Sequence, residues 1–196
     1  MKTLKSILIL SSVALLIFGF TTSDETIKGW FKAGSLPESY KTGLDKVVFQ
    51  KGQKSVFMES LDKNIEGFVT IMQTCNAKSY LGTKIKMTGF IKSENVADWA
   101  GMWLRVDSKT AMESLSFDNM QDRPITGTTD WTKCEITLDV PEESGTLNFG
   151  VLMSGTGKIW FDNISFEILD NAIPKVSKDS IALPVPEKPV NLDFEE

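Results

Sequence analysis

Apolar and polar residues alternate with a period of two in run after run of this chain, a rhythm that suits strands and not long helices. Residues 132–140 set Cys134, Ile136, Leu138 and Val140 on one side before Pro141 ends the run. Residues 84–92 repeat the pattern with Ile85, Met87, Gly89 and Ile91. In residues 101–107, Met102, Leu104 and Val106 point one way and Trp103, Arg105 and Asp107 the other. Successive side chains of a strand lie on opposite faces, so each run has one core face and one outward face. A β-branched and aromatic run at 67–74, with further runs at 147–153 and 159–169, completes the set, and Gly, Asn, Asp and Ser separate them. Short period-two segments punctuated by turns predict an all-β chain, an antiparallel β-sandwich.

Composition narrows the chemistry. His is absent and Cys occurs twice in 196 residues. That removes His bases, His triads, most catalytic zinc sites and any Cys-only zinc site. An enzyme would have to work through carboxylates, two of them about 5–10 Å apart across a cleft. No spacing among the 26 acidic residues marks such a pair.

At the amino end, Lys2 and Lys5 precede an apolar run from Ile7 to Phe20 broken only by Ser11, Ser12 and Gly19. As a helix, this run would rise about 21 Å, short of the ~30 Å hydrocarbon core. Residues 1–23 are therefore expected to be a cleaved signal peptide, leaving no stable membrane span and a periplasmic or extracellular protein. Removal of residues 1–23 leaves 19 Lys+Arg against 26 Asp+Glu, a net charge of −7. An acidic exported protein is repelled by nucleic acid and by anionic membranes, so no nucleic-acid partner is expected. After export, Cys75 and Cys134 are either two buried thiols or a disulfide.

The sandwich is expected over residues 24–170. Residues 171–190 hold four of the seven prolines (Pro174, Pro184, Pro186 and Pro189) and read as an extended linker. The terminal segment 191–196, Asn191-Leu192-Asp193-Phe194-Glu195-Glu196, is apolar at Leu192 and Phe194, which is unusual for a tail left in water.

An ordered series of short motifs adds a resemblance. Gly29-Trp30-Phe31, Gly43-Leu44-Asp45, Lys51-Gly52-Gln53-Lys54-Ser55, a strand ending in Gln73, Tyr80-Leu81-Gly82, Asp130-Trp131-Thr132 and Ile159-Trp160-Phe161-Asp162-Asn163-Ile164-Ser165-Phe166 follow one another. Over residues 29–169 this series resembles the jelly-roll carbohydrate-binding modules of the galactose-binding-like superfamily. The Gly-Trp-Phe-x-Ala-Gly-Ser opening and the Asp-Asn-Met-Gln-Asp-Arg-Pro loop are also similar to uncharacterised bacterial domains, some labelled transcriptional regulators. The resemblance implies a jelly roll and an exported, non-catalytic carbohydrate binder. Modules of this kind open with an Asn-x-x-Phe-Glu strand that residues 21–28 lack, whereas Asn191 to Glu195 match it. The terminal segment is thus a candidate added strand, in its own sandwich or a neighbour's, the alternative being a frayed tail.

Candidate ligand-binding residues follow from the pattern. Trp103 and Arg105 project from the outward face of their strand beside Trp99, where an indole can stack on a sugar and a guanidinium can donate to hydroxyls. Gln73 is a candidate on the same face. The alternative covers Trp103 with the 108–130 loop and pairs Arg105 with Asp107 or Asp118. In the turn Asp118 to Pro124, the side chains of Asp118, Asn119, Gln121 and Arg123 can reach over that face, or they supply only the chemistry a turn requires. The resemblance also implies a structural calcium at Asp162, against a plain hydrogen-bonded carboxylate; no other cofactor is expected. The expected partner is a carbohydrate or a surface protein, the second corresponding to a structural or interaction sandwich with no small-molecule ligand.

Overall fold

The β-branched and aromatic runs form nine strands among the residues described, 26–111, 113–169 and 185–196 of a computed structural model. They are β1 (Phe31–Gly34), β2 (Tyr40–Asp45), β3 (Ser55–Ser60), β4 (Phe68–Asn76), β5 (Thr83–Ser108), β6 (Ser114–Asp118), β7 (Ile125–Val140), β8 (Ser144–Ser154) and β9 (Lys158–Ile168). All the ladders are antiparallel. The expected signal peptide, and the linker as far as residue 184, lie outside the described residues.

Strand β5 organises the sandwich. Its first half pairs with β7, from Thr83 opposite Val140 to Ile91 opposite Thr132, and with β9 on its other side. Its second half pairs with β8, from Trp99 opposite Ser154 to Ser108 opposite Ser144, and with β6. Between the halves the register with β7 shifts three times across Ile91–Ala100, and Asn95 adopts a φ of 52°. Such irregularities bend a strand and let it pass from one layer to the next. One layer is therefore β1-β4-β8-β5-β6 and the other β7-β5-β9-β3-β2. The segments 84–92 and 101–107 are two halves of one bent strand.

The inward faces meet as expected. Met102, Leu104, Val106, Ile71, Phe149 and Val151 from the first layer pack with Val56, Met58, Ile85, Met87, Ile91, Ile136 and Phe161 from the second. Leu138 is only half-buried, because β7 lies beyond β5 at the rim of the second layer. Cys75 and Cys134 are both buried and both free, so they serve the core as small apolar groups.

The terminal segment closes one end of this core. The Phe194 ring is 0% exposed and lies 5.3 Å from the Trp30 ring and 5.2 Å from that of Phe161. The Trp30 Nε1–H donates to the Asn191 carbonyl at 2.9 Å, and Ile164 N–H donates to the Leu192 carbonyl at 3.0 Å. The segment forms no strand among its described residues. Asn191 and Phe194 have φ values of 46° and 59°, which turn the chain out of the extended conformation a ladder requires.

Two expected outcomes follow. Phe194→Ala should cost about 3–5 kcal/mol, as aromatic truncations in cores do, and lower the melting temperature in circular dichroism by about 10 °C; a shift below about 3 °C would contradict a core role. Burial pushes the Cys75 thiol up to about 12 and that of Cys134 to about 11. A thiol reagent at about pH 8 should leave both unmodified in the folded chain and label both in denaturant without reductant.

Candidate functional site

The outward face of the first layer is a surface that the strand register builds row by row. One row runs Phe31, Met72, Gly150 and Trp103 across β1, β4, β8 and β5. The next runs Thr74, Asn148, Arg105 and Phe117 across β4, β8, β5 and β6. Asn76, Thr146, Asp107 and Ser114 form a third. These residues alternate with the core residues Ile71, Val151, Met102 and Leu104.

Trp103 is on this face but does not stand away from it. Its Nε1–H donates to Thr70 Oγ1 at 2.8 Å, and the residue is only 8% exposed. Thr70 belongs to β4, so the indole crosses the whole width of β8, where Gly150 presents no side chain to obstruct it. The expectation of a projecting indole is therefore corrected: the ring lies along the sheet because its polar edge is held by Thr70. Trp99 is half-buried on the same face and covers Gly101, at which an added Cβ would lie 3.5 Å from the indole and 3.2 Å from Met120 Cβ.

Arg105 is exposed and ion-paired with Asp107, its Nη2 2.8 Å and its Nε 3.2 Å from Asp107 Oδ2. Asn148 Nδ2 donates to the same oxygen at 2.8 Å, and Thr74 Oγ1 donates to Asn148 Oδ1 at 2.7 Å. The four side chains fix one another in a polar row. Among the described residues, Arg105 Nη1 and Asp107 Oδ1 have no protein partner, which places a fixed donor near a fixed acceptor. A cleft of about 410 Å³ opens beside them, with Ser108, Glu113, Ser114 and Thr146 also on its walls. Phe117, opposite Arg105 on β6, is 54% exposed and adds a free ring at the edge. Sequence reasoning passed over Phe117, Asn148 and Thr74, since a five-residue run and two polar residues carry no periodic signal of their own.

Gln73 belongs elsewhere. It points toward the core side of β4, its Nε2 donating to the Val190 carbonyl at 3.0 Å and its Oε1 accepting from Val190 N–H at 2.8 Å. Its amide thus pairs with the terminal segment, on the side of the layer away from Arg105.

The Asp118–Arg123 turn is held mainly by its own side chains. Asp118 Oδ1 accepts from Met120 N–H at 2.8 Å, supporting a residue whose φ is 60°. Arg123 grips Asp118 through both carboxylate oxygens, at 2.6 and 3.2 Å, and also reaches Asp122 Oδ1 and the Glu135 carbonyl. The Asp118 hydrogen bond and the neighbouring carboxylates raise the pKa of this guanidinium. Asn119 Oδ1 accepts from Gln121 N–H at 3.2 Å, while the Gln121 side chain is exposed. The turn borders a second, shallower groove of about 610 Å³ that Phe117 shares.

Asp162 does not fit a calcium. Its Oδ2 accepts the N–H groups of Gln50 and Lys51 at 2.9 and 3.0 Å, and its Oδ1 accepts Asn163 N–H at 2.6 Å. A cation needs converging oxygens, and here the carboxylate is faced by N–H donors. No group of three or more Asp, Glu, Cys or His side chains among the described residues is arranged to hold a metal. Burial pushes the Asp162 carboxyl above the ordinary range despite those three hydrogen bonds, and nearby Glu195 adds to the rise.

The outer face of the second layer offers less. Lys158 Nζ lies 4.8 Å from the Trp160 ring and 5.0 Å from that of Phe57, and Trp160 Nε1–H donates to Asp45 Oδ2 at 2.8 Å.

No family model matches the chain. It is 40% identical over 176 residues to the uncharacterised HTH-type transcriptional regulator YbfP of Bacillus subtilis strain 168, covering 88% of this chain and 58% of that protein. The chain thus spans somewhat over half the length of this curated relative. Among the described residues, the only helical elements are two 3-10 turns, Pro37–Ser39 and Lys78–Tyr80, and no helix is long and apolar enough to cross a membrane. The fold is similar to the CBM22-1 and GH10 modules of Clostridium thermocellum endo-1,4-β-D-xylanase 10B complexed with xylohexaose, with a TM-score of 0.56, 10% identity, and 75% of this chain against 27% of that one. It is also similar to the CBM22-1 xylan-binding domain from Paenibacillus barcinonensis Xyn10C, with a TM-score of 0.53, 13% identity, and coverage of 76% and 91%. In architecture, the chain is an antiparallel β-sandwich, a fold it shares with these modules.

Proposed function

We propose that this chain is an exported, non-catalytic binding module that takes carbohydrate on the outward face of the β1-β4-β8-β5-β6 layer. The observation that carries this is the Arg105–Asp107 ion pair, which leaves Arg105 Nη1 and Asp107 Oδ1 without protein partners among the described residues, beside the exposed Phe117 ring. A sugar hydroxyl both donates and accepts, so a fixed donor and acceptor together suit it. An aromatic edge suits the C–H faces of the ring. The Thr74–Asn148–Asp107 relay holds the charged pair rigid, which limits the entropy lost on binding. The basic and then apolar residues 1–23 support export, and the similarity to xylan-binding modules supports a polysaccharide as ligand. A hydrolase would need a second acid poised across the cleft. The Asp107 carboxylate is instead held by Arg105 and Asn148.

Phe31 on the same face is 50% exposed, and Phe68 is also exposed. This apolar end favours a second reading, in which the face docks a surface protein.

Affinity electrophoresis against xylan and a panel of other soluble polysaccharides tests the proposal. Retardation by at least one of them is expected. Arg105→Ala and Phe117→Ala should each weaken it about tenfold or more while leaving circular dichroism and melting unchanged, since both residues are exposed. No retardation by any glycan would sink the carbohydrate assignment. The reading also needs no calcium, so a chelator should leave the melting curve and the retardation unmoved. A fall of several degrees would contradict the donor geometry at Asp162.

A further inference from the structure

We propose that the groove occupied by residues 185–196 is a peptide-binding site in its own right, able to take the same segment from a second copy of this chain. Its contacts are those of a recognised ligand and not of a sheet edge. The Gln73 side chain, 1% exposed, pairs with both backbone polar groups of Val190. Trp30 Nε1–H reads the Asn191 carbonyl, and Asn191 Nδ2 donates to the Lys28 carbonyl at 3.0 Å. Further in, the Leu192 carbonyl takes Ile164 N–H, and Phe194 fills a pocket whose walls include Trp30 and Phe161. Glu195 Oε1 then accepts Gln53 and Lys54 N–H at 2.7 and 3.0 Å, and Lys28 Nζ meets Glu196 Oε2 at 2.6 Å.

Some of these contacts hold the backbone of Val190, Asn191 and Leu192, and others take the side chains of Asn191, Phe194, Glu195 and Glu196. Two are made by groups that could not be left buried and unpaired without cost, the Gln73 amide and the Trp30 N–H. Among the described residues, the groups named above that hold the segment come from residues 28–164, so they do not require the occupant to belong to the same chain. A bound peptide is recognised by hydrogen bonds to its backbone and by side-chain pockets alike, and identical elements exchange between protomers at little energetic cost. The site lies on the core side of β4, opposite the face carrying Arg105, so this inference stands apart from the proposed carbohydrate function.

The test uses the full chain with a protease site inserted between Lys178 and Asp179. After cleavage, a fluorescent synthetic peptide spanning residues 185–196 is added in excess, and its anisotropy is followed. We expect the cleaved protein to keep its circular dichroism spectrum, to exchange its own segment for the labelled one, and to bind a Phe194→Ala peptide about a hundredfold more weakly. The proposal is overturned if the cleaved domain unfolds, if the labelled peptide never enters, or if the Phe194→Ala peptide competes as well as the native sequence.

Discussion

A single strand shared by two sheets is the constraint on which the rest of this molecule depends. Thr83–Ser108 has to face the core with Ile85, Met87 and Ile91 while it pairs with β7 and β9, then again with Met102, Leu104 and Val106 while it pairs with β8 and β6. The shifts around Ser93 and Val96 let it do both, because an unbent strand could not present its apolar side to the same interior from two layers. The bend also sets the direction of the outward residues beyond it. Trp99, Gly101, Trp103, Arg105 and Asp107 all share the strand's second half, so any change at the corner would move the candidate site as a unit.

Around that frame, buried or half-buried carboxylates act as organisers of backbone. Asp45 takes Val47 and Val48 N–H and the Trp160 indole; burial opposes its ionisation, but these donors and Lys158 hold its carboxyl below the usual range. Asp162 and Glu195 together accept four N–H groups of the 50–54 loop. Loops without a strand partner have few other ways to satisfy their amides away from water. This accounts for the acid at Asp162, the one position where a resemblance to other modules suggested a metal.

Alternation made the two-layered architecture legible, because a half-buried strand leaves a period of two that survives without knowledge of its neighbours. The inward residues of β5 and β7, among them Ile85, Met87, Ile91, Met102, Leu104, Val106, Cys134, Ile136 and Val140, follow from it directly, whereas β4, β8 and β9 are buried on both faces over much of their length and carry no such period. The short strands β1, β2, β3 and β6 are four to six residues long, too brief for a pattern to rise above chance. The outward orientation of Trp103 and Arg105 was readable for the same reason as the core. What could not be read was the reach of each side chain across the sheet. Whether an indole stands up or lies down depends on Gly150 and Thr70, residues 47 and 33 positions away in the chain and on the next strand and the one beyond it in space. Gln73 shows the same limit, since its partner Val190 lies 117 residues further along.

Trp30 and Asn191 are joined by a hydrogen bond across 161 positions of sequence, and the ring of Phe194 rests on that indole. Contacts of such separation demand that the intervening polymer be gathered first, so they are slow to form compared with hairpins such as β2–β3. Until the last aromatic arrives, Trp30 and Phe161 would lack the ring that covers them, leaving an adhesive patch on a nearly finished sandwich. Late arrival of one ring therefore governs how long the nascent molecule remains vulnerable to self-association.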